Sequence, residues 1–339
     1  MDPVTHLLSG IVLNRAGLER LCPQARWIVP LAAMAPDIDV VADFWGDENY
    51  LAWHRQWTHS LTALPAVAAL PVLAVGLWAR GRMPWRRGFL AALPAVALHD
   101  ALDLTNSYGV RLLLPFSSAW IAWDLLFIVD LWIWAVFLLA ILGPMLGRLV
   151  SREIGARGGR GRTAAAMALA FLPLYAGGRY LLHERAVAVL EARMYQNEVP
   201  RRVAALPSPL NPLRWRGLVE TENFYATAEL DLREEFDPGA ARILHKAAGD
   251  PRFAVAEQAA RRSRAFQVFL DFSRYPLWRF IPEDEPEGAL RVEAMDLRFG
   301  EPPASRFVAT AVVSAEGSLL RSWFRFQPDQ PDGPRSDRE

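Results

Sequence analysis

The chain has 339 residues, 52% of them hydrophobic, with 13 Trp, 17 Phe and a formal net charge of 0. That balance leaves no basic footprint for nucleic acid, and the length suggests about two domains. The single cysteine, Cys22, excludes an intrachain disulfide and a thiolate-based zinc site.

Long apolar runs concentrate in residues 1–182. A helix needs about 20 mostly apolar residues to cross a bilayer, because its backbone groups must be satisfied internally. In chain order, Pro3–Leu13 is a short or tilted candidate, opened by Asp2 as N-cap and Pro3 in the first turn. No cleavable signal peptide is evident, since no basic region precedes this stretch and it is interrupted by His6. Trp27–Val41 is apolar up to Asp37 and Asp39, and Leu61–Ala79 carries no charge. Gly88–Leu104 is apolar until His99, Asp100 and Asp103, Ala119–Gly147 carries Asp124 and Asp130, and Thr163–Leu182 completes the set. The expected fold is mainly α: a polytopic helical membrane domain of about five or six segments over 1–182, followed by a soluble α+β domain.

Arginines in short loops set the expected orientation. Arg15, Arg20 and Arg26, then Arg80, Arg82, Arg86 and Arg87, then Arg148, Arg152, Arg157, Arg160 and Arg162 occupy alternate loops. They belong on the cytoplasmic side, which places the C-terminal domain on the non-cytoplasmic side.

Alternation brings the polar residues of the apolar half to the opposite face. His6 begins the first helix there, Asp37 and Asp39 end the second segment, and His54 and His59 fill the loop that follows. His99 and Asp103 share a helix face at i,i+4, with Asp100 beside them, and Asp124 lies just inside the same face. Pro36 marks a helix boundary at which Asp37 and Asp39 are both turned inward. Imidazoles with carboxylates suit a divalent metal: zinc first, manganese or iron as alternatives, in one or two ions. The candidate ligands are His6, Asp37, Asp39, His54, His59, His99, Asp103 and Asp124. Asp39, Asp100 and Asp124 are also candidates for the catalytic base. Each has a blander reading as a helix cap, a packed polar pair or part of an ion pathway. Asp130 suits a structural role equally well, Arg55 is an anion-holding side chain or an interfacial anchor, and Thr58, Ser60, Asn106 and Ser107 are supporting or capping groups.

His6, Pro-Asp-Ile-Asp at 36–39, His-Arg-x-x-Thr-His-Ser at 54–60, His-x-x-x-Asp at 99–103 with Thr105, Tyr108 and Gly109, then Asp124 and Asp130, form a combined pattern. It resembles the YdjM-like family of inner-membrane metal-dependent hydrolases over about residues 1–180. The resemblance implies a bacterial or archaeal membrane protein with a metal-dependent hydrolase assignment. The His-x-x-x-Asp element is also similar to that of zinc-dependent phospholipase C and related nucleases. Some members carry a further acidic residue or His after Pro-Asp-x-Asp, where this chain has Val40 and Val41. Residues 183–339 are similar to extensions in some members.

His183–Val199 reads as an amphipathic helix leaving the membrane and Pro200–Pro212 as a linker, so 183–212 connects the two domains. Strands are expected at Gly217–Leu230, Ala265–Phe272, Leu290–Phe299, Phe307–Val313 and Leu319–Phe326, with a helix at Phe253–Arg264. Residues 213–327 form the soluble domain and 328–339 a disordered tail.

The expected function is metal-dependent hydrolysis of an ester or phosphoester, with membrane lipids as surroundings and a lipid or amphiphile as substrate; the sequence leaves the oligomeric state open. No His-Glu-x-x-His or Gly-x-Ser-x-Gly occurs, which disfavours a zinc protease or a serine hydrolase. The alternatives are cation or proton translocation, and a metal-stabilised partner protein without catalysis.

Overall fold

The computed structural model describes residues 1–80, 82–153 and 161–327. Arg157, Arg160 and the tail 328–339 lie outside the described residues.

The N-terminal half is helical. In α1 (Pro3–Ala16) the Asp2 carboxylate accepts from the amides of Val4 and Thr5, as the Asp-Pro start predicts. α1 packs on α2 (Ala25–Met34) so closely that a Cβ on Gly10 would sit 2.8 Å from Ala33 Cβ, which is why a glycine stands there. The expected Trp27–Val41 segment breaks at Pro36 into a 3-10 run, Ala35–Trp45. Then come α3 (Asp47–Trp53), a 3-10 turn at Trp57–His59, α4 (Leu64–Trp78), α5 (Trp85–Leu104), α6 (Leu131–Glu153) and α7 (Arg162–Glu191).

Ala119–Gly147 is not one helix, because α6 starts only at Leu131. Residues 110–126 are bonded to the end of α5 instead: the Trp123 amide donates to Leu104 O, those of Leu125 and Leu126 to Thr105 O, and Val110 bridges Ile121. Gly109 permits this crossing, with φ +85° and Ile121 O 2.8 Å from where a Cβ would be. Asp130 caps α6 by accepting from the Trp132 and Ile133 amides.

Among the described residues, α7 is the one helix long and apolar enough to cross a bilayer. The chain from Asp47 to Trp78 makes a second candidate if its two parts, bent by 92°, count as one span, and Leu131–Gly147 is a shorter apolar stretch. Length and composition thus support one or two spans rather than five or six. α1 and α2 are short, and α5 carries Arg86, Arg87, Asp100 and Asp103.

The C-terminal region holds two antiparallel meanders. The first is β1 (Arg202–Pro207), β2 (Arg214–Glu220), β3 (Phe224–Asp231) and β4 (Arg242–His245); the second is β5 (Pro276–Pro282), β6 (Leu290–Asp296), β7 (Val308–Val313) and β8 (Leu319–Arg325). Gly217–Leu230 is therefore a hairpin rather than one strand, turning where Thr221 N and Phe224 O pair. β1 lies within the expected linker. Ala265–Phe272, expected as a strand, falls in α9 (Arg264–Phe272), which follows α8 (Pro251–Arg261). Phe266, Phe269 and Phe272 recur every third residue, all are buried, and Ser263 caps the helix.

Tyr225 and Leu218 of the first sheet meet Leu277 and Met295 of the second in a shared core. The end of α7 is covered by the first sheet through Ala186, Leu190 and Trp215. Leu51 and Tyr108 of the helical half join the aromatic core around α9. Behind that core Arg298 is fully buried. It pairs with Asp296 at 2.7 Å and donates to Ser107 O and Phe272 O. Burial pushes the Asp296 carboxyl up, but the Arg298 guanidinium and the amides of Arg298 and Arg274 outweigh it and hold the group below its ordinary value.

Asp296→Asn should therefore leave a buried guanidinium uncompensated and cost about 3–5 kcal/mol. Thermal unfolding of the full-length protein in detergent reads this as a clear drop in melting temperature, and an unchanged melt would sink the assignment. Because the Asp296 pKa is depressed, its contribution is present above the unfolded pKa and is lost as pH falls through the folded one.

Candidate metal centre

The site is assembled at the break between α2 and the 3-10 run. Pro36 has no amide to continue the α-helical ladder, and the tighter winding beyond it brings Asp37 and Asp39 to face the loop 54–59 and the end of α5. His99 is held first of all by its backbone neighbour: Nδ1 lies 2.7 Å from Ala33 O. A neutral imidazole that donates from Nδ1 carries its lone pair on Nε2. That nitrogen lies 3.1 Å from His59 Nε2 and 3.4 Å from Asp103 Oδ2.

Asp37, His59, His99 and Asp103 each offer one ligand atom, all within 4.8 Å of one another. His59 Nε2 is 3.4 Å from Asp103 Oδ2 and 3.5 Å from Asp37 Oδ1, and His99 Nε2 is 3.6 Å from Asp37 Oδ1. Ligand atoms at about 2.0–2.1 Å around a tetrahedral ion are about 3.3 Å apart, so the spacing fits one four-coordinate divalent ion. Two imidazole nitrogens facing each other, with a buried Asp103 Oδ2 that has no hydrogen-bond partner, are also the chemistry a cation would satisfy.

Asp39 has a different environment. Its Oδ1 accepts from His54 Nδ1 at 2.8 Å; its Oδ2 accepts from the Arg55 amide at 2.9 Å and Thr58 Oγ1 at 2.7 Å. Thr58 Oγ1 also lies 3.0 Å from His59 Nδ1. Asp39 thus orients both histidines of the loop, the kind of support that metal-ligating imidazoles commonly have. A second group, Asp37, Asp39 and His54, is close enough to hold an ion.

His6 stacks on His99, with ring centroids 3.6 Å apart, and places Nε2 3.3 Å from Asp103 Oδ1. Asp103 Oδ1 also meets Arg55 Nη2 at 3.0 Å, and the Met1 amine. Asn106 accepts from Arg55 and from the Tyr108 amide. Asp100 is buried, with neither oxygen hydrogen-bonded, and stands outside both ligand groups.

Asp124 is not brought to the cluster. Both of its oxygens are held by Arg274, at 3.2 and 2.8 Å, so the carboxylate expected as a ligand or base instead ties the helical half to the strand-rich region. Asp130 caps α6 and accepts from Tyr175, a structural role. Sequence reasoning missed Arg274 and the Ala33 carbonyl. An exposed-looking arginine beside Tyr275, and a main-chain acceptor, leave no residue-type signal.

Elemental mass spectrometry of the detergent-purified protein should find about one equivalent of a divalent metal. His99→Ala and Asp103→Ala should lose it, while Asp124→Ala should keep it. Metal retained by His99→Ala, or absent from the wild type after reconstitution, would remove the centre.

No solved structure matches the chain. The chain is 34% identical over 153 residues to the uncharacterized protein YfhP of Bacillus subtilis (strain 168), a stretch that covers 42% of this chain and 45% of that protein. The chain therefore spans less than half the length of this curated relative. The family described as YdjM inner membrane protein matches residues 1–186, which include every residue of the His/Asp cluster, and the chain belongs to that family.

Proposed function

We propose that the protein is a multi-pass membrane hydrolase that cleaves an ester or phosphoester, dependent on a divalent metal, zinc first. The observation that carries the reading is the convergence of Asp37, His59, His99 and Asp103 at spacings suited to one ion. These four would hold it. A bound divalent ion supplies Lewis acidity and makes a water acidic near neutral pH, toward a pKa of about 7.

The chain's own groups do the rest. Ala33 O fixes the His99 tautomer. Asp39 holds His54 through Nδ1, so the opposite ring nitrogen is free to take or return a proton, and His54 borders the cavity described below. Asp100, beside His99 and without a hydrogen-bond partner, is a second candidate for proton storage.

The membrane setting draws on the family's description as an inner membrane protein. It draws also on apolar side chains left outward on α4, α6 and α7, such as Leu77, Leu139, Leu174 and Leu181. The arginine-bearing loops gather at one end: Gln24 Nε2 donates to Arg82 O and Arg162 Nε to Ala16 O. That grouping favours a cytoplasmic position for them and a non-cytoplasmic C-terminal region.

The metal-loaded protein should hydrolyse a phosphodiester, phospholipid or polyprenyl-phosphate substrate. His59→Ala should lower the rate by at least about 100-fold and Thr58→Ala by about 10–100-fold. A loaded wild type no faster than His59→Ala on every substrate would leave the metal a structural or transport role. A C-terminal alkaline phosphatase fusion should be active and a cytoplasm-dependent fluorescent fusion dark; the reverse pattern would overturn the orientation.

A further inference from the structure

A cavity of about 860 Å³ opens between the helical half and the two sheets. One wall belongs to the metal centre's surroundings, with Tyr50, His54 and Arg55; the opposite wall comes from β1, β2, β3 and the segment 298–307. Much of the lining is apolar: Leu126, Phe127, Leu206, Pro207, Phe299 and Phe307. Four arginines also line it, Arg55, Arg216, Arg298 and Arg306, against two acidic residues, Asp43 and Glu229.

The four arginines are not equivalent. Arg55 is engaged by Asp103 and Arg298 by Asp296. Arg216 is half-buried and, among the described residues, donates to main-chain oxygens alone, those of Leu297 and Arg298. Glu229, opposite it in the β2–β3 register, acts on it electrostatically together with Glu301 and Asp296, but among the described residues none of the three pairs with it directly. Arg306 is exposed and, among the described residues, has no hydrogen bond or ion pair. The half-buried charge of Arg216, with no carboxylate in direct contact, gains when an anion joins it. Planar guanidinium forks match oxyanions bidentately. An apolar lining beside them suits the carbon chain attached to such a head group.

We propose that this cavity binds the phosphate-type head group of an amphiphile, with Arg216 and Arg306 contacting the head group and the Phe and Leu wall taking the start of its chain. The His54 side of the cavity would then present the head group's ester to the metal centre. In calling the occupant a substrate the proposal rests on the hydrolase reading; the binding itself does not.

The test is isothermal titration calorimetry on the full-length protein in a non-ionic detergent, as wild type and as His99→Ala. The probes are dihexanoyl phosphatidic acid, dihexanoyl phosphatidylcholine and inorganic phosphate. Phosphatidic acid should bind at least about ten-fold tighter than either other probe, in both proteins. Arg306→Gln should weaken it about ten-fold, Arg306→Lys less, and Arg216→Gln should add to the loss. Arg306 is exposed and, among the described residues, has no hydrogen bond or ion pair to break, so its variant keeps the fold and carries the test if Arg216→Gln does not. Equal binding of phosphatidylcholine, or affinity unchanged in Arg306→Gln, would overturn the proposal. Inorganic phosphate binding as tightly as phosphatidic acid would overturn the amphiphile and leave a free-anion site. If binding behaves as expected while no substrate is hydrolysed, the hydrolase reading fails and this one stands.

Discussion

Arg55 is the charge on which the centre depends. Its amide donates to Asp39, and its guanidinium reaches Asp103, Asn106 and the Met1 carbonyl. One residue thereby joins the 3-10 run after α2 to the end of α5 and the start of α1. It does so at a φ of 59°, a conformation non-glycine residues rarely adopt. The strain persists because the contacts on every side fix it. Three carboxylates, Asp37, Asp39 and Asp103, gather around this guanidinium and the Met1 amine, a surplus of acceptors that a divalent ion would balance.

The same economy of charge ties the two halves of the chain. Arg274 holds Asp124, Arg111 pairs with Asp271, and Arg298 reaches Ser107 O while paired with Asp296. Arg179 of α7 stacks on Trp215 and bonds Leu125 O and Pro212 O. All four contacts land on the loops after α5 or on the end of α7. The segment 105–130, which would otherwise be a free loop, becomes the floor on which the sheets rest. The cavity follows from this, since its walls are the parts of that junction that do not close.

The parts of the site legible in the sequence were those fixed locally. Asp2-Pro3 announces a helix start, Pro36 a helix boundary, and His99 with Asp103 a shared helical face. Thr58 and Asn106 were readable as supporting groups because their neighbours were the candidate ligands. Asp124 was not readable, because its partner Arg274 lies 150 residues away and only the fold brings them together. The run 119–130 is apolar enough for a membrane helix, but its amides find acceptors on α5, which periodicity does not reveal. Ala265–Phe272 alternates well enough for a strand, yet its phenylalanines also keep a three-residue period. Short apolar runs satisfy both patterns, and the cap at Ser263 decides.

The two ligand groups share Asp37, so they compete as well as cooperate. Asp39 already accepts from three donors, and the His54 Nδ1 proton is directed at Asp39. An ion in the second group would have to displace those hydrogen bonds. In the first group nothing needs displacing at Asp103 Oδ2, which has no hydrogen-bond partner, and the Nε2 atoms of His59 and His99 already face each other. The geometry therefore favours a single ion between Asp37, His59, His99 and Asp103. Asp39, Thr58 and His54 then form the layer that fixes its ligands on the side facing the cavity.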